Sequence, residues 1–191
     1  MNYLRVLLLS LFTLTAQAKP LETAIFAGGC FWCSESDFEK LAGVSRVESG
    51  YIGGHIKNPR YEQVASGVSG HIEAVRVHYN PAVISYPQLL DYFWRHHDFL
   101  DAGGQFCDRG EQYSPAIFTR DPEQARMAEA SKKALIASRG LKTVATRIIP
   151  ASTFYLAEDY HQDYYKKNGF RYQYYRLSCG RDARMKELWP K

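Results

Sequence analysis

Residues Ala27 to Ser36 read "AGGCFWCSES", placing Cys30 directly after Gly28-Gly29 with Phe31, Trp32 and a second thiol, Cys33, beside it. A thiol is a nucleophile only to the extent that it is ionised, and an ordinary cysteine with a pKa of ~8.5 is little ionised at neutral pH. At the start of a helix the unpaired N–H groups and the positive end of the dipole favour thiolate, and the pKa can fall to ~3.5–7.5. The run "TAIFAG" (Thr23 to Gly28) has the β-branched, apolar composition of a strand. After it Phe31, Phe38 and Leu41 recur at helical spacing, with Gly43 as a stop. Cys30 therefore stands where strand turns into helix, and the two glycines permit the tight turn. Cys30 is the candidate nucleophile; Cys33, one turn on, sits less well in the helix field.

A second constellation lies in "GHIEAVRVHY". Strand alternation puts Glu73 on the face of Val75, Val77 and Tyr79, while Arg76 and His78 point the other way. A carboxyl on an apolar face is desolvated, which raises its pKa toward the range of a general acid. The same pattern also fits an acid at the wet rim of the strand. Glu35 is a rival acid, one turn beyond Phe31, although an acid in a first helical turn is ordinarily there for the dipole. His97 ends an apolar helix stripe and His161 lies in the last predicted helix; both read as structural histidines.

These groups must be positioned by a scaffold, and its outline is legible. "GVSRVESGYIGG" and "HIEAVRVHYNP" read as strands, and Ser85 with Gln88 forms a capping box ahead of a helix through Tyr86, Leu89, Leu90, Phe93 and His97. "SPAIFTR" is a strand, Asp121-Pro122 opens a helix that closes at Gly140, "TVATRIIPA" is another strand, and "EDYHQDYYKK" a last short helix. The order β-α-β-β-α-β predicts an α+β fold, the ferredoxin-like split βαβ two-layer core, with an added C-terminal helix and an extended tail. The tail, "RYQYYRLSCGRDARMKELWPK", reads as a surface strand and a solvated end. Residues 98–113 carry no periodic pattern, as expected of a functional loop.

The chain of 191 residues has 24 Lys+Arg against 20 Asp+Glu, a net charge of +4. Residues 1–18 read as a secretory signal: Arg5 is a short basic start, "VLLLSLFTL" is too short an apolar run to span a bilayer, and Ala16-Gln17-Ala18 offers a cut after Ala18. Cleavage would leave one domain, 19–191, in the periplasm or secreted. The mild, interspersed charge argues against nucleic acid or a membrane surface as partner.

An exported chain with four cysteines ordinarily pairs them structurally, but a domain of this length folds by burial without staples. The Cys30–Cys33 loop is also too small to stabilise much as a cross-link. Cys107 and Cys179 are isolated and the histidines lack ligand spacing, so no metal site is expected. Two other classes compete: a thioredoxin-like dithiol oxidoreductase using Cys30 and Cys33, and a binding module with all four cysteines paired. The first lacks a matching cis-proline segment and strand order; free thiols would exclude the second.

The segments "GCFWC", "SGYIGG", "NPRY", "GHIEAVRVHYNP", "ISYPQLLDYFW", "GGQFCDRGEQY", "SPAIF" and "AEDYHQDYY" together resemble the peptide methionine sulfoxide reductases of the A type, in order from about Ala24 to Tyr165. The resemblance implies reduction of the S-epimer of methionine sulfoxide, protein-bound or free. Cys30 would attack the sulfoxide sulfur, Glu73 would be the general acid, and Tyr61 and Tyr113 would hydrogen-bond the sulfoxide oxygen. Phe31 and Trp32 would hold the S-methyl group, with Asp108 lining the site. Cys30 would become a sulfenic acid, resolved to a disulfide by a second thiol. No cofactor is implied beyond an external dithiol, a thioredoxin-like donor, and a monomer is expected. The chain departs from the family pattern in having Cys33 where glycine is frequent, and in lacking a glycine-rich cysteine-bearing end. Cys33 is near in sequence, but Cβ atoms three apart on a helix are ~5–6 Å apart, against ~3.5–4.5 Å in a disulfide. Cys179, in a tail read as loose, is therefore the expected resolving thiol, with Cys33 second and Cys107 third.

Overall fold

A computed structural model describes residues 20–190. The leader-like segment read from residues 1–18 lies outside them. In chain order the elements are β1 (Glu22–Ala27), α1 (Phe31–Phe38), β2 (Val44–Ile52), α2 (Tyr61–Ala65), β3 (Ile72–Tyr79), α3 (Tyr86–Trp94), β4 (Gly104–Gln105) and β5 (Asp108–Arg109). A 3-10 turn (Glu111–Tyr113) leads to β6 (Ala116–Thr119), α4 (Pro122–Ser138), β7 (Arg147–Pro150) and β8 (Tyr155–Leu156). The chain ends with α5 (Tyr164–Lys167), α6 (Gly169–Ser178) and α7 (Arg181–Leu188).

The main sheet has the order β7-β6-β1-β3-β2-β8. Its four inner strands, β6-β1-β3-β2, are antiparallel throughout and carry the split βαβ connectivity expected from the sequence. β7 joins parallel to β6 through α4, and β8 pairs antiparallel with β2. Alternation along β1 sends Ala24 and Phe26 to one face and Ile25 and Ala27 to the other. On the first face Phe26 stacks between Phe38 of α1 and Phe93 of α3, with ring centroids 4.9 Å away in each case. The opposite face buries a smaller cluster of Ile25, Ile52, Ile72 and Phe118, with Phe154 beside it. Burial of such side chains, at ~1.5–3 kcal/mol each, ties both helices to the central strands.

The caps follow the sequence. The Ser85 N–H donates to Gln88 Oε1 at 2.9 Å, and Asp121 Oδ1 accepts from the Gln124 N–H at 2.8 Å. At the turn before α1, Gly29 has φ +81°, and a Cβ there would lie 2.5 Å from Gln105 Cβ.

Three regions differ from expectation. Residues 98–113 are not patternless chain: β4 and β5 form a hairpin, and the buried Gln105 amide exchanges two hydrogen bonds with Asp98, accepting from its N–H at 2.7 Å and donating to its carbonyl at 2.8 Å. Side-chain-to-backbone bonds of this kind leave no periodic trace. The expected extended tail is instead two helices, α6 and α7. Their arginines read as solvated, yet Arg181 is buried, donating to the Gly28 carbonyl at 3.1 Å and the His96 carbonyl at 2.6 Å. Arg176 and Arg181 both face Asp37 of α1, at 2.9 and 3.8 Å. Farther out, only 164–167 of the predicted "EDYHQDYYKK" helix is helical.

Gly29→Ala adds left-handed strain of ~1–2 kcal/mol for a non-glycine residue and a clash with Gln105. Urea unfolding is expected to show a loss of at least about that size, because the turn cannot relax without moving the hairpin.

Candidate active site

Cys30 is the N-cap of α1, with φ −46° and ψ 119°, and so lies just outside the helix. The first helical amide, that of Phe31, donates to Glu73 Oε2 at 3.0 Å. That bond sets the carboxyl of β3 against the turn bearing the thiol, on the face predicted by strand alternation. Glu73 is 2% exposed, and burial, with a contribution from Asp108, pushes its pKa up to about 8 against the pull of the Phe31 N–H. At neutral pH it is therefore a carboxylic acid.

The electrostatics of the two thiols reverse the expectation. Burial holds the Cys30 thiol well above its ordinary pKa, reinforced by its hydrogen bond with Cys33 and by Glu73 and Asp108. The amide that would have stabilised a Cys30 thiolate is occupied by Glu73, so the helix field loses to desolvation. Cys33 moves down instead, because it receives the Cys30 hydrogen bond and faces Arg181 and Arg176, which outweigh its burial.

Tyr61 opens α2, and its N–H donates to Glu158 Oε1 at 2.9 Å; Glu158 Oε2 accepts from the Tyr51 hydroxyl at 2.7 Å. Tyr61 and Tyr113 lie close to one another, and burial, with Glu73 nearby, raises both, Tyr61 to about 12. Both therefore remain neutral donors. Asp108 accepts from the Tyr175 hydroxyl at 2.5 Å, and Tyr175 lies beside Cys30. The structure thus brings Cys30, Glu73, Tyr61, Tyr113 and Asp108 together.

Beside them opens a cavity of about 510 Å³, walled by Trp32, Tyr61, His161, Tyr164, Tyr174 and Tyr175 among others. Trp32 is stacked on Tyr164 at 3.7 Å, and its Nε1–H donates to His161 Nδ1 at 3.0 Å. Phe31 backs the wall rather than forming it: it is buried, 5.8 Å from the Tyr51 ring and 4.9 Å from that of His161. His161 is lowered by burial to about 4, so it is a neutral acceptor that aims Trp32. His97 is structural as expected, held between the Phe93 carbonyl and Thr146 at 2.7 Å each. Glu35 is buried and raised to about 7, but its carboxylate accepts from the Asp163 N–H at 3.1 Å, so it braces the loop before α5.

Cys179 is not on a loose tail. It caps the C-terminus of α6 and forms a disulfide with Cys107, leaving Cys30 and Cys33 as free thiols. Those free thiols exclude the fully stapled binding module. Among the described residues, the candidate metal cluster is Cys107, Asp108 and Cys179, and both of its sulfurs are spent in that disulfide. Tyr175, Tyr164 and Arg181 were not singled out from the sequence. The first two lay unmarked among 14 tyrosines, and Arg181 looked like one more charge in a basic tail.

Comparison with known proteins agrees with this geometry. The family model described as peptide methionine sulfoxide reductase matches residues 22–191. Peptide methionine sulfoxide reductase MsrA 2 of Caulobacter vibrioides is 54% identical over 178 residues, 93% of this chain and 90% of that protein. The MsrA of Bacillus licheniformis is 48% identical over 175 residues, 91% and 97% of the two chains. The crystal structure of Mxr1 from Saccharomyces cerevisiae in reduced form superposes with a TM-score of 0.74 at 30% identity, covering 84% of this chain and 93% of that one. Methionine sulfoxide reductase A of Corynebacterium diphtheriae gives 0.70 at 33% identity, covering 78% and 76%. The sheet order, the thiol over a buried acid and these matches agree: the chain belongs to the peptide methionine sulfoxide reductase family, A type.

Proposed function

We propose that the chain reduces the S-epimer of methionine sulfoxide, in oxidised proteins and as the free amino acid, with Cys30 as nucleophile and Glu73 as proton donor. The observation that carries the residue roles is the contact between the α1 N-terminus and a neutral Glu73 next to the Cys30 turn. The sulfoxide side chain enters the aromatic cavity with its methyl group against Trp32. Tyr61 and Tyr113 donate to the oxygen, where negative charge accumulates.

As Cys30 Sγ attacks the sulfoxide sulfur, Glu73 gives its proton to the oxygen. Cys30 releases its thiol proton, which restores the Glu73 acid. Oxygen passes to Cys30, and methionine leaves with its sulfur reduced by two electrons. Thiol plus sulfoxide becomes sulfenic acid plus thioether. A second thiol then displaces water from the sulfenic acid to form a disulfide, which an external dithiol of the thioredoxin type reduces. An ordinary dithiol oxidoreductase has no need of the Glu73, Tyr61 and Tyr113 cluster, and the family match does not favour that reading. Residues 1–18 support export, in which case the donor is itself exported; fractionation of cells expressing the full chain tests this, and unprocessed protein in the cytoplasm would overturn it.

Cys30→Ser is expected to abolish methionine formation from methionine (S)-sulfoxide with dithiothreitol, since no neighbouring group replaces the sulfur. Glu73→Gln keeps an acceptor for the Phe31 N–H and loses the proton, so kcat/KM should fall ~10²–10⁴-fold with the fold intact by circular dichroism. The acid form is the active one, and it is depleted as pH rises through about 8. The kcat/KM of the wild type should therefore decline above that value, and that limb should be missing in Glu73→Gln.

A further inference from the structure

The cavity beside Cys30 is larger than its reaction requires. A methionine sulfoxide side chain contributes only a handful of non-hydrogen atoms, whereas about 510 Å³ is a volume of the class that encloses a drug-sized ligand. Its wall divides by depth. Trp32 and Tyr175 form the deep end, Trp32 close to Cys30 in sequence and Tyr175 on Asp108. Tyr160, Arg171 and Tyr174 form the mouth, and all three are exposed, Tyr160 by 55% and Tyr174 by 70%. On α6, residues 174 and 175 stand three and four positions beyond Arg171, so the three share one helix face.

Arg171 differs from the other arginines of the last two helices. Arg176 pairs with Asp37 and Asp182, Arg181 with Asp37, and Arg184 with Asp98 and Glu187. Among the described residues Arg171 has no ion pair and no side-chain hydrogen bond, and it stands on the cavity wall. The acids that reach the cavity act elsewhere on that wall. Glu158 is spent on the Tyr51 hydroxyl and the Tyr61 N–H, and Glu62 acts on Tyr160 and His161. The mouth is therefore negative on the Tyr160 side and positive on the α6 side.

We propose that this mouth is a subsite for a residue adjoining the oxidised methionine in a polypeptide, and that it selects an acidic side chain, Asp or Glu, whose carboxylate pairs with Arg171. The proposal rests on the reading of the cavity as the place where the sulfoxide side chain binds. A planar guanidinium takes a carboxylate through two parallel N–H bonds, and the tyrosine rings cover the methylenes of the same side chain. The pair is open to water and lies away from the reacting sulfur, so it is formed equally before and during the reaction. It acts on KM rather than kcat, is worth about threefold as an exposed pair, and is screened by salt.

The test uses blocked tripeptides with methionine (S)-sulfoxide at the centre and Glu, Gln or Lys on both sides, reduced with dithiothreitol so that no protein donor takes part. In the wild type, KM is expected to be about threefold lower for the Glu peptide than for the Gln peptide, and highest for the Lys peptide, with kcat alike. Salt at ~1 M should erase most of the difference. Arg171→Ala should bring the Glu and Gln peptides level, and Arg171→Lys should keep part of the preference. Arg171→Glu should reverse the order in favour of the Lys peptide, a change of sign that a folding defect cannot imitate. Equal KM values for the Glu and Gln peptides in the wild type, or a preference that survives Arg171→Ala, would overturn the proposal. So would a raised KM for free methionine sulfoxide in Arg171→Ala with a flat peptide series, because the guanidinium would then hold the α-carboxylate of the free amino acid. Failure of the wild type to reduce any of these substrates would instead refute the reading of the site as a sulfoxide reductase.

Discussion

The hydrogen bond from the Phe31 amide to Glu73 is the contact around which the site is organised. It joins the first free amide of a helix to the only acid on the buried face of β3, and it does so between residues 42 apart in sequence. An N–H at a helix start favours a charged carboxylate, yet burial here is strong enough to leave the group protonated at neutral pH. The bond is therefore worth more as geometry than as charge stabilisation. It fixes the distance between an acid and a thiol that different elements supply, and it depends on the tight Gly28-Gly29 turn that precedes it.

Once that amide is taken, the charge preferences of the two thiols follow. Cys30 has the desolvation of the site and two carboxyl groups against it. Cys33 has the cations of α6 and α7 in its favour. A helix dipole, worth ~0.3–1 kcal/mol for a charge at an exposed terminus, is small beside the cost of burying an unpaired ion. Reading acidity from position at a helix start alone thus named the wrong member of the pair as the more acidic.

The sequence carried the scaffold well where burial is periodic. β1, β3, α3 and α4 announce themselves by alternation, capping box or proline, and the side of β3 that bears Glu73 follows from alternation alone. Where contacts are made by side chains on distant backbone, nothing in the local pattern shows them. Gln105 organises residues 98–113 through its amide, and Arg181 is buried by reaching two carbonyls, Gly28 and His96. A glutamine in a loop and an arginine in a basic tail look the same whether solvated or enclosed. Tyr61 and Tyr113 came only through family resemblance, because a tyrosine becomes distinctive only by what its hydroxyl meets.

The Cys107–Cys179 bond spans a sequence separation of 72 and encloses α4, β6, β7 and the loop that carries His161. A cross-link over a loop of that length removes denatured-state freedom worth roughly 4 kcal/mol in the chain-entropy account. That is a sizeable part of the 5–15 kcal/mol by which a domain is ordinarily stable. An enzyme of this build is therefore most resistant to unfolding, and to the proteases that act on unfolded chains, when Cys107 and Cys179 are joined. Strongly reducing surroundings that open the bond would cost the fold this margin, and oxidising ones would keep it.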